Sequence, residues 1–125
     1  MRQNQRASIT GIGSYLPNKV LTNYDLEKMV DTSNDWIIQR TGIKERRIVE
    51  NGVTTSDLAT HASLRAMEDA GVSPKDLDMI ITSTITPDHI FPSTSCYIQQ
   101  KIGATRACAF DILAACAGFI YAMSI

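Results

Sequence analysis

The sequence has little of what marks secreted, membrane-spanning or nucleic-acid-binding proteins. Its three cysteines are an odd number without a C-x-x-C pair, so neither a disulfide framework nor a zinc site is favoured. The polar start, 1–8, lacks the apolar core of a secretory signal, and the longest apolar run, 112–125, is too short for a membrane span. A net charge of -1 provides no positive field for nucleic acid or an anionic membrane. We therefore expect a cytoplasmic protein.

What is present is the composition of a packed domain. Of the 125 residues, 44% are hydrophobic and 20% are charged, and no repeat, low-complexity tract or linker divides the chain. Strand-like and helix-like segments alternate, which predicts an α/β layered fold. We expect 1–125 to be one domain, and an incomplete one, because the chain ends inside an apolar helix whose stripe would lack its covering layer.

Capping residues and hydrophobic periodicity predict the elements. Helices are expected from Thr22 or Asn23 to Val30, from Ser33 to Gly42, over 54–70 before Gly71, and over Thr94–Ile102 before Gly103. Strands are expected at 8–15, 43–49, 78–86 and 107–113, the third of them buried. The helix at 54–70 has an apolar face of mostly small residues, which predicts that it lies close to a neighbouring sheet or helix and is well buried.

The strongest chemical signal is Cys116, in the stretch AFDILAACAGF at 109–119. A strand runs into a tight turn of small residues, and Cys116 falls at the start of the next helix, where free N–H groups favour a thiolate. A thiolate is a nucleophile, and the same N–H groups can stabilise an oxyanion. The structural alternative is a cysteine buried for packing, which is what we expect of Cys96 and Cys108.

A thiol nucleophile needs a partner, and the sequence contains two histidines. His61 lies within the long helix and is expected on its solvent face. His89 lies in the loop 86–92, from which it can reach a pocket. A Cys116–His89 dyad is therefore conceivable, although the sequence gives it no geometric support.

Four stretches of the sequence resemble one family. They are GIGSYLP at 11–17, DTSNDWIIQRTGIKERR at 31–47, FPS at 91–93 and AFDILAACAGF at 109–119. In register from about Ile9 onward, they resemble the front third or so of β-ketoacyl-acyl-carrier-protein synthase III, a thiolase-fold condensing enzyme. The resemblance implies an α/β, thiolase-like layered αβαβα architecture, here an incomplete N-terminal half.

The resemblance also implies a reaction. Cys116 is expected to take an acyl group from acyl-CoA, typically acetyl-CoA, and the acyl-enzyme then condenses with malonyl-acyl-carrier protein, losing CO₂, to give a 3-oxoacyl-acyl-carrier protein. The family uses no metal or redox cofactor and works as a cytoplasmic homodimer. Its catalytic histidine and asparagine come from the second half of a longer chain, so this chain is expected not to condense.

Other site residues follow from the same resemblance. Trp36 and Arg40 match positions that hold the CoA nucleotide, with Thr32 and Thr41 beside them; an indole stacks on adenine and a guanidinium binds phosphate. The structural alternatives are a core tryptophan and a surface arginine. Phe91 matches a residue that reaches across the dimer interface toward the acyl pocket, and its alternative is an aromatic that anchors its loop.

Two other interpretations of the chain stay open. In the first, the chain is a noncatalytic interaction module that docks onto a full-length synthase or carrier protein. In the second, it is part of another thiolase-fold condensing enzyme with a different starter or acceptor. The intact setting of Cys116 favours an enzyme, because a binding module has no need of a nucleophile there.

Overall fold

The computed structural model of the protein describes residues 7–125, so most of the polar start at 1–8 lies outside the described residues. The chain forms two compact units. The smaller is Leu16–Val53, and the larger combines, of the described residues, 7–15 with Thr54–Ile125.

The smaller unit contains two short strands and two helices. In order they are β1 (Lys19–Thr22), α1 (Asn23–Glu27), α2 (Asn34–Thr41) and β2 (Glu45–Ile48). The strands pair antiparallel, with Lys19 opposite Ile48. The strand at 43–49 is thus confirmed with shorter bounds, whereas β1 was not predicted.

The helix boundaries of this unit follow the capping residues. Thr22 Oγ1 accepts a hydrogen bond from the backbone N–H of Asp25, at 3.2 Å, and begins α1, which ends at Glu27 and is shorter than predicted. Ser33 begins α2 in the same way, and Gly42 ends it in the left-handed conformation, at φ 71°. The prediction for α2 is therefore confirmed at both ends.

The larger unit is built around a parallel strand pair. Its elements are α3 (Thr55–Ala70), β3 (Met79–Ser83), α4 (Thr94–Ile102), β4 (Cys108–Ile112) and α5 (Gly118–Ser124), with 3-10 turns at Pro74–Asp76 and Ala115–Ala117. Met79 lies opposite Cys108 and Ser83 opposite Ile112, with α4 in the connection between the strands. Because parallel strands point the same way, the segments that follow Ser83 and Ile112 leave the sheet at one edge.

The hydrophobic core of the larger unit lies between α3, α4 and the strands. Its buried members are Met67, Ile98, Ile102, Ala104 and Ala107, with Ala59, Leu77 and Ile80 partly buried against them. Burying a side chain such as Ile98, which is 2% exposed, contributes about 2 kcal/mol. The strand predicted at 78–86 is shorter and only half-buried, because β3 pairs with β4 alone among the described residues.

The strand predicted at 8–15 is wrong. Residues 7–15 have no regular secondary structure and are held by side chains of α3 instead of by a strand ladder. The backbone N–H of Ile12 donates to Asp69 Oδ2 at 2.9 Å, and Arg65 Nη1 donates to the carbonyl of Ser14 at 2.7 Å. These contacts satisfy backbone groups that a sheet would otherwise pair.

The small residues of α3 allow this segment to come close. A Cβ built on Gly13 would lie 2.3 Å from the carbonyl oxygen of Ala62, so the backbones touch directly at this position. A close approach is present as predicted, but its partner is an irregular segment and not the sheet or helix that was expected. The predicted burial is wrong for most of α3, since only Ser56 and Met67 of this helix are buried.

Candidate active site

The Cys116 thiol lies in a tight turn between β4 and α5. The turn is a single 3-10 turn, Ala115–Ala117, and Cys116 is exposed, so the packing alternative does not apply to it. Ala115, directly before the cysteine, has φ 43°, a conformation that non-glycine residues rarely adopt. Strain of this kind concentrates at functional sites and must be held in place by the surrounding structure.

The turn is held against the end of β3. Gly118, the first residue of α5, is buried, and a Cβ at this position would lie 1.8 Å from Ser83 Oγ. Only a residue without a side chain lets α5 begin this close to the strand. The small residues of the motif therefore do more than leave room near the sulfur: one of them fixes the helix that follows it.

Asp111 ties β4 to the start of α4. Its carboxylate accepts hydrogen bonds from the backbone N–H groups of Thr94, at 2.7 Å, and Ser95, at 2.8 Å, and from the Ser95 hydroxyl, at 2.8 Å. The Ser95 hydroxyl, which is fully buried, also lies 2.7 Å from Thr82 Oγ1 and from the carbonyl of Phe110. One polar cluster thus joins β3, α4 and β4 just before the chain turns toward Cys116.

The charge of Asp111 suits this role. Desolvation by burial acts to raise the pKa of its carboxyl, but the hydrogen bonds from Ser95 and Thr94 together outweigh it, so the pKa is lowered. Asp111 is therefore ionised at neutral pH. It supplies a negative charge to the amino end of α4, where Ser93 makes no side-chain capping bond.

The loop after β3 is anchored at its base. Thr55 Oγ1 donates to the carbonyl of Thr86 at 2.7 Å, and the backbone N–H of Ser56 donates to Asp88 Oδ1 at 2.9 Å. Burial acts to raise the pKa of Asp88, yet the hydrogen bonds from Ser56 and Thr54 lower it overall. This loop carries His89 and Phe91.

His89 lines an open groove of about 240 Å³ with Pro87, Ile90, Ser93, Asp111 and Leu113. Cys116 is not part of its lining, and among residues 7–125 its thiol makes no hydrogen bond to either histidine. His61 is exposed and stacks on Tyr15, with ring centroids 4.5 Å apart. The structure therefore gives the Cys116–His89 dyad no support, and it confirms that His61 lies on the solvent face.

Two sequence expectations about the remaining site residues of this unit change. Phe91 is 87% exposed, so it does not anchor its loop by packing, and its peptide bond to Pro92 is cis. Cys108 was expected in the core but is exposed at the first position of β4, while Cys96 is half-buried. Exposure alone therefore does not distinguish Cys116 from Cys108; the turn around Cys116 does.

In the smaller unit, Thr32 and Trp36 line one open cavity. Its volume is about 350 Å³, and Asp31 and Ser33 complete the lining. Trp36 is 55% exposed, so it is not a core tryptophan. The cavity is open beside a flat aromatic face, which suits stacking of a planar base.

Arg40 lies one turn further along α2, in its last turn, and is exposed outside the cavity lining. It makes no ion pair within the described part of the chain, so its guanidinium is free to bind a phosphate. Thr41 is not free: its hydroxyl donates to the carbonyl of Ile37 at 2.7 Å and accepts from the N–H of Ile43 at 3.1 Å. Thr41 therefore serves to close the helix end.

Several of the polar residues that shape these sites were not predicted. Asp111 and Ser95 hold the approach to the turn, and Asn23 is a fully buried member of the smaller unit. A signal for Asp111 exists in the sequence, because an aspartate inside an apolar strand needs buried partners.

Within residues 7–125, no group of three or more His, Cys, Asp or Glu side chains is arranged to hold a metal ion. None of the helices in this part of the chain has the length and apolar character to cross a membrane.

Comparison with known proteins identifies the relatives of the chain. It is 63% identical, over 119 residues, to the β-ketoacyl-[acyl-carrier-protein] synthase III of Caldanaerobacter subterraneus subsp. tengcongensis, a match that covers 95% of this chain and 36% of that protein. The chain is a homologue of β-ketoacyl-acyl-carrier-protein synthase III. It spans a little over a third of the length of the synthase III relatives it matches. No family model matches the chain.

Solved structures agree with this assignment. The synthase III of Aquifex aeolicus superposes with a TM-score of 0.89 at 54% identity, covering 93% of this chain and 37% of that one. The priming β-ketosynthase of the R1128 polyketide pathway superposes with a TM-score of 0.90 at 38% identity. The match covers 98% of this chain and 38% of that one. The fold is therefore α/β and thiolase-like, as expected, and the chain comprises a part of it.

Proposed function

We propose that the chain is the N-terminal part of a β-ketoacyl-acyl-carrier-protein synthase III, an acyltransferase of type II fatty acid synthesis, with Cys116 as its nucleophile. The observation that supports this most is the exposed thiol of Cys116 in a strained, closely fitted turn, in a chain 63% identical to a synthase III. Cys96 and Cys108 lack such a turn.

The first half-reaction needs only an acyl thioester. The Cys116 thiolate attacks the thioester carbonyl of acetyl-CoA, a new carbon–sulfur bond forms to Cys116, and the bond to the CoA sulfur breaks. CoA leaves as a thiolate and is protonated. The accessible sulfur among small residues permits this approach.

In the proposal, the smaller unit holds the nucleotide end of CoA. The open face of Trp36 stacks on adenine, Thr32 provides a hydroxyl in the same cavity, and Arg40 binds phosphate from the next helical turn. The arrangement supports this assignment because none of the three side chains is buried.

Condensation needs more than this chain carries. The acyl group on Cys116 is to be attacked by the carbanion that malonyl-acyl-carrier protein forms when it loses CO₂, which gives the 3-oxoacyl product and frees the thiolate. The histidine and asparagine that the family uses for this step have no counterparts in the matched stretches, so we expect acylation without condensation. The complete enzyme is proposed to be a cytoplasmic homodimer without metal or redox cofactor, with the exposed Phe91 at the partner's acyl pocket.

The test is acylation of the purified chain. Wild type, Cys116→Ala and Cys108→Ala are incubated with acetyl-CoA and analysed by intact-protein mass spectrometry. Cys108→Ala is the matched control, because Cys108, on β4, is an exposed thiol like Cys116 but lies outside the turn. We expect a single acetyl adduct on wild type and Cys108→Ala and none on Cys116→Ala.

An adduct that persists in Cys116→Ala contradicts the assignment of the nucleophile. A folded chain that forms no adduct contradicts the acyltransferase proposal and favours the noncatalytic interaction module. Folding is monitored by circular dichroism in the same samples.

A second candidate is a priming condensing enzyme of another pathway. The observation in its favour is the superposition on the R1128 priming β-ketosynthase, at a TM-score of 0.90. Competition between acetyl-CoA and other acyl-CoA thioesters for Cys116 distinguishes the two, because preferential acylation by a starter other than acetyl favours the second candidate.

A further inference from the structure

The most buried side chain of the smaller unit is polar. Asn23 is 0% exposed, and the only other buried residue among 16–53 is Ile37, at 6%. A unit with a single buried apolar side chain has little hydrophobic packing to fix its geometry. Hydrogen bonds must therefore set the position of its helices.

Both polar atoms of the Asn23 side chain are hydrogen-bonded. Its Nδ2 donates to Asn34 Oδ1 at 3.1 Å and to the carbonyl of Ile43 at 2.8 Å, and its Oδ1 accepts from Arg46 Nη1. Asn34 is the first residue of α2, Ile43 comes just after the Gly42 cap, and Arg46 lies in β2. One amide thus holds both ends of α2.

The start of α2 is also where the cavity is formed. Three of the residues that line it, Asp31, Thr32 and Ser33, lie immediately before Asn34. The fourth, Trp36, lies in the first turn after it. The backbone N–H of Asn34 donates to Glu27 Oε1 at 2.6 Å, which fixes the same point from α1. A shift of Asn34 would move the Ser33 cap and the indole together.

We infer that Asn23 is a positioning residue for this cavity, setting α2 so that Trp36 and Thr32 together accept an adenine nucleotide. The inference rests on the proposed function, since it presumes that CoA binds here. Asn23 does not touch the cavity itself; it acts through Asn34 and through the backbone at Ile43.

The experiment measures CoA binding to the chain by the fluorescence of Trp36, which is the sole tryptophan. Asn23→Asp keeps the size and the acceptor but replaces the donor group with a second acceptor, which faces the oxygens of Asn34 and Ile43. Asn18→Asp makes the same change of charge at an exposed position of the same unit. We expect wild type and Asn18→Asp to bind alike and Asn23→Asp to bind at least about tenfold more weakly.

Asn34→Ala is the second variant, because it removes one partner of Asn23 without adding charge, and we expect it to weaken CoA binding too. The circular dichroism spectrum and the denaturant unfolding of every variant are measured beside wild type, which separates lost positioning from lost folding. If Asn23→Asp unfolds, the CoA affinity of Asn34→Ala tests the inference instead.

CoA affinities of Asn23→Asp and Asn34→Ala that equal that of wild type overturn the inference and leave the proposed function intact. Unchanged affinity in Asn34→Ala alone overturns it when Asn23→Asp does not fold. Wild type that shows no saturable change in fluorescence with CoA overturns the nucleotide site, and the inference with it.

Discussion

Gly118, at the start of α5, lies against Ser83, at the end of β3, with no room between them for a side chain. A Cβ on Gly118 would fall 1.8 Å from Ser83 Oγ and 3.0 Å from Ser83 Cβ. Because Cys116 precedes Gly118 by two residues, this contact determines where the turn that carries the thiol meets the helix.

Gly118→Ala should destabilise the chain through that contact. The backbone of Gly118 is helical, at φ −60° and ψ −38°, so alanine is conformationally acceptable and helix propensity favours it by about 1 kcal/mol. Overpacking against Ser83 opposes this gain, and we expect a net loss of about 1–2 kcal/mol in denaturant unfolding. Adding Ser83→Gly removes both obstructing atoms and should restore most of the loss. If Gly118→Ala alone is as stable as wild type, the close contact between Gly118 and Ser83 is contradicted.

Gly13→Ala should cost more, because what blocks it is backbone. The added Cβ would lie 2.3 Å from the carbonyl oxygen of Ala62 and 2.4 Å from the amide nitrogen of Ala66, and no side chain can move aside to relieve it. We expect a loss of about 3 kcal/mol or more in thermal or denaturant unfolding.

Ser14→Ala is the matched control for this segment. The Ser14 side chain is exposed, and Arg65 donates to its backbone carbonyl, which alanine keeps, so the change should stay within about 0.5 kcal/mol. Equal losses in the two variants would show that the segment does not lie on α3 as described.

The sequence predicted best those features that local chemistry determines. Ser33 and Gly42 bound α2, and Gly103 ends α4, because capping depends on residues within a turn of the helix end. The turn around Cys116 was found for the same reason, from a run of small residues. Its 3-10 form and the strain at Ala115 were not.

The features that were missed depend on residues far apart in the chain. The segment 8–15 reads as a strand by composition, but its backbone is held by Asp69 and Arg65 of α3, a partner that no local pattern reveals. Asn23 was considered only as a helix cap; its burial arises from Asn34, Ile43 and Arg46 together. Prediction from propensity does not capture such tertiary hydrogen bonds.

Asp111→Ala should loosen the amino end of α4. The substitution removes the acceptor for the N–H groups of Thr94 and Ser95, a loss comparable to that of a helix cap, and we expect it to cost about 1–2 kcal/mol at neutral pH. The folded-state pKa of Asp111 lies below its ordinary value of 3.8, so this stability is present above that value and declines as the pH falls through the folded pKa.

The control for Asp111 is Asp78→Ala, which removes an exposed carboxylate just before β3. The N–H of Cys108 donates to the backbone carbonyl of Asp78, which the substitution keeps. Unfolding is followed in denaturant from neutral pH into the acid range. A penalty for Asp111→Ala no larger than that for Asp78→Ala would contradict the role of the carboxylate.

The ion pair between Asp57 and Lys101 gives the sharpest prediction of pH dependence. Lys101 Nζ lies 2.6 Å from Asp57 Oδ1, and its hydrogen bond is the largest cause, before those of Thr54, that lowers the pKa of Asp57 from 3.8 to about 2. A depressed carboxyl pKa contributes stability that is present above pH 3.8 and is lost as the pH falls toward 2.

Lys101→Met tests this ion pair. Since the side chains of Lys101 and Asp57 are 34% and 37% exposed and screened by solvent, we expect the substitution to cost only about 0.2–1 kcal/mol at neutral pH. Lys75→Met is the exposed control. The difference between wild type and Lys101→Met should narrow between pH 4 and pH 2; a difference that stays constant would mean that Lys101 acts through its hydrogen bond to Ser56 Oγ, at 2.6 Å, and not through the charge of Asp57.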